Sequence, residues 1–126
     1  EIAWKMVEDF NVHPRDINLS ITSFSGGNQQ KIIVSRWIAA NKKLIILDEP
    51  TKGVDVGAKQ EIYDNLRRLA SAGIGIILFS SETEELLSSS DRILVMFEGR
   101  IVKELITAKS SADEVLRYSV AGSAAD

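Results

Sequence analysis

The sequence predicts an α/β fold in which helices are layered on a parallel sheet. Three observations carry this. Two short apolar runs, Leu44–Leu47 and Ile74–Phe79, have the composition of strands buried on both faces. Between them, Val56–Ala72 repeats apolar residues at helical spacing. The order strand, helix, strand, helix is that of a layered sheet.

Each element has its own local reason. Ile2, Met6 and Phe10, with Ala3 and Val7 beside them, give Glu1–Phe10 a helical stripe. A chain that starts at Glu1 and is helical at once reads as a piece beginning inside a domain. Asn11–Ser23 holds Pro14 and the single histidine, His13, and reads as a surface loop. Gly26–Ala40 is the next helix and Leu44–Leu47 the first strand. Asp55 is placed to cap the helix Val56–Ala72, and Gly73 to end it. That helix turns Ile62, Leu66 and Leu69 inward and leaves Lys59, Glu61, Asp64, Arg67 and Arg68 on a solvated face. Ile74–Phe79 is a second buried strand and Glu82–Ser88 a short helix. Arg92–Phe97 and Arg100–Ile106 flank Glu98-Gly99, a hairpin signal. Ser111–Tyr118 reads as a last short helix, and the small-residue tail Ala121–Asp126 is expected to fray.

At 126 residues the chain is one domain at most. With 44% hydrophobic and 26% charged residues it is globular in composition. A net charge of −3 leaves no broad basic surface, so nucleic acid is not an expected partner. Cysteine is absent, which excludes disulfides and thiolate metal sites. No apolar run reaches the roughly 18 residues needed to span a bilayer, so any membrane role runs through a partner.

Two stretches carry chemistry. In Phe24-Ser25-Gly26-Gly27-Asn28-Gln29-Gln30-Lys31, Ser25 is a good N-cap and the glycines admit a close neighbour, backbone or ligand. Free N–H groups at that helix start suit a phosphate. The second, Leu44-Ile45-Ile46-Leu47-Asp48-Glu49-Pro50-Thr51, ends an apolar strand in two carboxylates. Ligands of α/β sheets bind beyond the carboxyl ends of the strands. There Asp48 suits Mg²⁺, held largely through water, and Glu49 suits polarising an attacking water.

In this order the two stretches resemble the nucleotide-binding subunits of ABC transporters, from about residue 20 to about residue 106. Ser25-Gly26-Gly27-Asn28-Gln29 looks like the family's signature loop, and Leu44–Glu49 like its Walker B strand with the catalytic glutamate. Lys52-Gly53-Val54-Asp55 sits where the D-loop belongs. The resemblance implies a layered P-loop NTPase (ABC ATPase) fold. It is incomplete, because no Gly-x-x-x-x-Gly-Lys-Ser/Thr occurs and the P-loop half is missing. The chain is then the C-terminal part of a nucleotide-binding domain, expected to bind ATP poorly by itself. Residues 1–40 are the end of a helical subdomain with the signature helix, 41–106 the C-terminal part of the ATPase core, and 107–126 a short helix and tail.

Gly-Gly-Asn-Gln-Gln-Lys, Thr51–Lys59 and Ser80-Ser81-Glu82 narrow the resemblance. It is to the second domain of the fused ATPases of bacterial monosaccharide importers, of ribose, galactose and xylose type. A nucleoside-importing sister group shares the signature. Ser81 occupies the place of the family's γ-phosphate histidine, and with Glu84 three residues on it also reads as a helix cap. The family pairs its domains head to tail. The resemblance therefore implies that Ser25, Gly26, Gly27 and Asn28 serve ATP held by a partner nucleotide-binding domain, and that Asp55 of the D-loop is a further nucleotide-binding residue. Asp48, Glu49 and Ser81 face the chain's own, weaker site. ATP and Mg²⁺ are the implied ligands. The implied partners are transmembrane permease subunits and, indirectly, a periplasmic or lipoprotein sugar-binding protein. The implied location is peripheral, on the cytoplasmic face of the cell membrane. Two readings stand beside this one: a non-catalytic module that supplies a signature and a dimer surface, and an ABC protein of translation or DNA repair. The acidic balance and the signature speak against the last.

Overall fold

The computed structural model describes residues 1–40 and 42–122. Among them the chain forms two compact units, one running from Glu1 to Phe79 and one from Ser80 onward.

The first unit contains α1 (Ile2–Asp9), a single 3-10 turn (Ile21–Ser23), α2 (Gly26–Ala39), β1 (Leu44–Asp48), α3 (Val56–Ser71) and β2 (Gly75–Phe79). Strands β1 and β2 run parallel, in register from Leu44 opposite Gly75 to Asp48 opposite Phe79. A parallel pair needs a crossover, which α3 supplies. Asp55 caps α3 by accepting from the Ala58 N–H at 3.0 Å. Gly73, at φ +91°, takes the left-handed turn that ends the helix. One face of the sheet, Ile45 and Leu47 with Ile76 and Leu78, packs with Val34, Ile62 and Leu66 of the helices. Ile62 is fully buried, so the helical stripe read from the sequence is the one that faces the core.

The expectation that both strands are buried on both faces is corrected. Burial alternates strictly along β1. Leu44, Ile46, Ile77 and Phe79 are 51%, 61%, 44% and 48% exposed. In a parallel pair the residues in register share a face, so these four form one apolar surface. The helices of the first unit pack with the opposite face, which is why the continuous apolar run did not produce two-sided burial.

The second unit contains α4 (Thr83–Ser89), β3 (Arg92–Phe97), β4 (Arg100–Ile106), a 3-10 turn (Thr107–Lys109) and α5 (Ala112–Ala121). Strands β3 and β4 form an antiparallel hairpin with a bulge between Val95 and Met96. Glu98 and Gly99 both have positive φ, 46° and 76°, the geometry a two-residue hairpin loop requires. Helix α5 starts on Ser111, whose hydroxyl accepts from the Glu114 N–H, and lays Val115 on Ile93, Val95 and Leu105. It runs through Ala121 to Gly122, so the first two residues of the expected fraying tail belong to a helix end. Residues 123–126, like Asn41, lie outside the described residues.

Ser81 does not cap α4, contrary to the capping-box reading. The N-cap is Glu82, which makes no side-chain cap bond. Ser80 takes the local bond instead, its Oγ accepting from the Glu82 N–H at 3.0 Å. A serine two residues before a backbone donor closes a tight turn of its own, and this displaces the helix start by one residue.

Candidate functional site: the start of the second helix

The start of α2 is built as the sequence suggests. Ser25 has extended backbone, φ −61° and ψ 156°, and its Oγ accepts from the Asn28 N–H at 3.5 Å. Phe24, buried before it, anchors the entry, and its carbonyl accepts from Gln29 Nε2 at 2.8 Å. The glycines behind Ser25 divide their roles. A side chain at Gly26 meets nothing within 4 Å, whereas a Cβ at Gly27 stands 3.3 Å from Ala58 Cβ and 3.3 Å from Asp55 Oδ2. Gly27 is thus the point of close approach between the start of α2 and the start of α3.

The two helix starts enclose an open hollow of about 230 Å³. Ser25, Gly27 and Asn28 line it from α2, and Asp55, Gly57 and Ala58 from α3. Lys31 and Glu61 line it as well. The structure therefore gathers Ser25, Gly27, Asn28 and Asp55, with Gly26 next in the chain.

Asp48 and Glu49 stand apart from that hollow, at the carboxyl end of β1. Asp48 is exposed and Glu49 half-buried. Glu49 has φ +46°, uncommon for a residue with a side chain. Its N–H still donates to the Phe79 carbonyl at 2.9 Å, while its own carbonyl accepts from the Lys52 N–H at 3.2 Å. The ladder and a tight turn thus hold an unfavourable backbone conformation at the residue singled out for catalysis, a known habit of functional sites. Among the described residues no three His, Cys, Asp or Glu gather into a metal cage. Two adjacent carboxylates nonetheless fit Mg²⁺, which binds through one or two carboxylates plus phosphate oxygens and water. Ser81 is exposed, in the second unit.

Three features escaped the sequence. Lys31, only 6% exposed, forms an ion pair with Glu61 and donates to the Asn11 carbonyl at 3.3 Å. Glu61, read from the sequence as part of a solvated face, keeps that exposure at 41% of its side chain while pairing with a buried lysine. The available signal was a lysine inside the stripe that also buries Val34 and Ser35. Thr51 and Tyr63 pair their hydroxyls inside the core. His13 is exposed as expected, but its backbone N–H donates to Asn28 Oδ1 at 2.9 Å. A main-chain donor leaves no signal in residue types.

The ABC transporter family profile matches residues 1–52. The ribose import ATP-binding protein RbsA of Caldanaerobacter subterraneus subsp. tengcongensis is 47% identical over 121 residues, 96% of this chain and 24% of that protein. This chain is homologous to ABC transporter ATP-binding domains. A xylose import ATP-binding protein, XylG of Geobacillus kaustophilus, is 46% identical over 106 residues, 84% of this chain and 21% of that protein. The chain thus spans about a quarter of the length of these curated ABC relatives. Among solved structures, an ATP-binding cassette of an ABC transporter in its ADP conformation superposes with a TM-score of 0.72 at 26% identity, covering 94% of this chain and 45% of that one. A dimeric bacterial ABC transporter cassette gives 0.74 at 22% identity over 84% of this chain and 46% of that one, which establishes the ABC ATPase fold. No helix among the described residues is long and apolar enough to cross a membrane.

Proposed function

We propose that this chain is the signature-bearing part of an ATPase that energises import of a monosaccharide. The observation that carries the reading is the hollow between the starts of α2 and α3, lined by Ser25, Gly27 and Asn28 at the start of one helix and closed behind by Gly27 against Ala58. Such a surface suits phosphate oxygens. In this reading residues 1–40 close a helical subdomain, 41–106 belong to the ATPase core, and 107–126 form a C-terminal helix and tail.

The division of labour follows from chemistry. Ser25, Gly26, Gly27 and Asn28, with Asp55 capping the facing helix, address ATP held by a partner nucleotide-binding domain. Asp48 and Glu49, outside the hollow, belong to the chain's own site. Glu49 orients and polarises a water there, and Asp48 supplies the carboxylate for Mg²⁺. When bound, Mg²⁺ neutralises charge on the phosphate oxygens. In the family pattern the place of the γ-phosphate histidine falls on Ser81, a neutral hydroxyl where an imidazole could carry charge, and this supports reading the chain's own site as the weaker of the two. Closure of the paired domains drives permease subunits at the cytoplasmic face of the membrane, and a sugar-binding protein delivers the cargo. The ribose and xylose importers among the relatives favour a sugar over a nucleoside.

The separation of Asp48 and Glu49 from the hollow also favours a second reading, in which the chain supplies only the signature and hydrolysis is confined to the partner site. Steady-state ATPase rates of the full-length protein separate the two. Gly27→Asp places a carboxylate beside Asp55 and where a phosphate sits, and is expected to lower the rate roughly 10²–10³-fold. Glu49→Gln is expected to fall short of the roughly 10²–10⁴-fold that loss of a general base brings. A Glu49→Gln variant with wild-type activity supports the signature-only reading. Equal severity of the two variants overturns the division between the sites.

A further inference from the structure

The hydrogen bonds around Ser25 form a directed chain. Ser25 Oγ accepts from Asn28 Nδ2 at 2.9 Å and from the Asn28 backbone N–H at 3.5 Å. A serine hydroxyl has two acceptor sites and one hydrogen to give. Both acceptor sites are engaged by Asn28, and the hydroxyl donates to nothing among the described residues. The orientation of the Asn28 amide is itself determined. Its Oδ1 receives the His13 backbone N–H at 2.9 Å, so its NH₂ must face Ser25. The reversed amide sets donor against donor at His13 and leaves Ser25 to spend its hydrogen on Asn28. Behind His13, the Asn11 Oδ1 lies 2.9 Å from His13 Nε2, and the Asn11 carbonyl is held by Lys31.

We propose that Asn28 is a positioning residue that fixes the Ser25 hydroxyl as an outward hydrogen-bond donor to an acceptor-only ligand. A phosphoryl oxygen is such a ligand. The inference rests on the phosphate reading of the hollow and changes the part Asn28 plays in it. Its Oδ1 and one of its two amide hydrogens are engaged within the protein, and the proposal assigns its effect to Ser25. A donor aimed before the substrate arrives needs no reorganisation during the reaction, and this is where such groups derive their effect.

The test is a double-mutant cycle on ATP hydrolysis by the full-length protein containing this chain, with kcat and KM measured separately. Ser25→Ala is expected to lower kcat roughly 100-fold and Asn28→Ala roughly 10-fold, both with little change in KM. In the Ser25→Ala background, Asn28→Ala is expected to add nothing. Losses that multiply, or an Asn28→Ala loss confined to KM, overturn the proposal, because Asn28 then acts directly on the nucleotide. Asn28→Leu, which fills the same space without a donor, repeats the cycle if the alanine variant does not fold. A Ser25→Ala protein with full activity overturns the phosphate reading itself, a result distinct from multiplied losses in an active-site serine background.

Discussion

The hydroxyls of Thr51 and Tyr63 meet at 3.0 Å, with Thr51 only 1% and Tyr63 only 6% exposed. Thr51 lies in the turn after Glu49, and Tyr63 lies on α3, so the pair ties the end of β1 to the crossover helix. Each single change removes this hydrogen bond, a net contribution of about 0.5–1.5 kcal/mol. Tyr63→Phe and Thr51→Val are each expected to fall in that range by denaturant unfolding. The double variant is expected to lose clearly less than the sum. Full additivity excludes coupling between the two.

Lys31 and Glu61 are unequal partners. The Lys31 side chain is 8% exposed and that of Glu61 41%. Removing the carboxylate strands a buried ammonium, whereas removing the ammonium returns a carboxylate to water. Glu61→Gln is therefore expected to destabilise more than Lys31→Met. Solvent reaches Glu61, so the loss should lie below the roughly 3–5 kcal/mol of a fully buried pair. Urea midpoints of the two variants give the comparison, and the reverse ranking contradicts the assignment of the buried charge to Lys31.

The open face of the first sheet predicts association. Leu44, Ile46, Ile77 and Phe79 are contiguous and apolar, and surfaces of that kind bind dyes and other chains. The chain alone is expected to sediment as more than a monomer at micromolar concentration and to enhance the fluorescence of an apolar dye. Ile46→Lys should reduce both, with the helical circular-dichroism signal retained. A wild-type monomer without dye binding rules the idea out.

Gly122 ends α5 at φ +69°, and a Cβ there stands 2.6 Å from Phe97 Cδ1. Gly122→Ala meets both a backbone penalty of about 1–2 kcal/mol and a ring that must move. Expected is a loss of about 2–3 kcal/mol in unfolding free energy, most of it recovered by adding Phe97→Leu. A neutral Gly122→Ala variant argues against this helix end as described.

Much of this was legible because local rules and the fold agree. Asp55 and Ser111 cap the helices they precede, and Glu98-Gly99 makes the turn its residues favour. The helix start at Ser25 and the strand end at Asp48 were readable as elements from cap type and apolar pattern, and their order in the chain carried the family resemblance. The misses share a different cause. Ile46 and Ile77 are apolar without being buried, and residue type cannot report what covers a surface. The start of α4 falls one residue later than the capping box placed it, with Glu82 as N-cap and Ser80 accepting from the Glu82 N–H. Lys31–Glu61 and Thr51–Tyr63 depend on which side of α3 meets α2 and which meets the turn after β1, which periodicity does not specify. The His13 N–H is backbone, and every residue but proline has one.

The hairpin of β3 and β4 also bears on the order in which the chain acquires structure. Its strands are neighbours in sequence, joined by two residues whose conformations already suit the reversal. Hairpins of this kind close in about 1–10 μs. Strands β1 and β2 cannot meet in register until all of α3 has been laid between them, and pairings that enclose more chain form more slowly. The hairpin therefore closes ahead of the parallel pair, whose register needs the whole crossover.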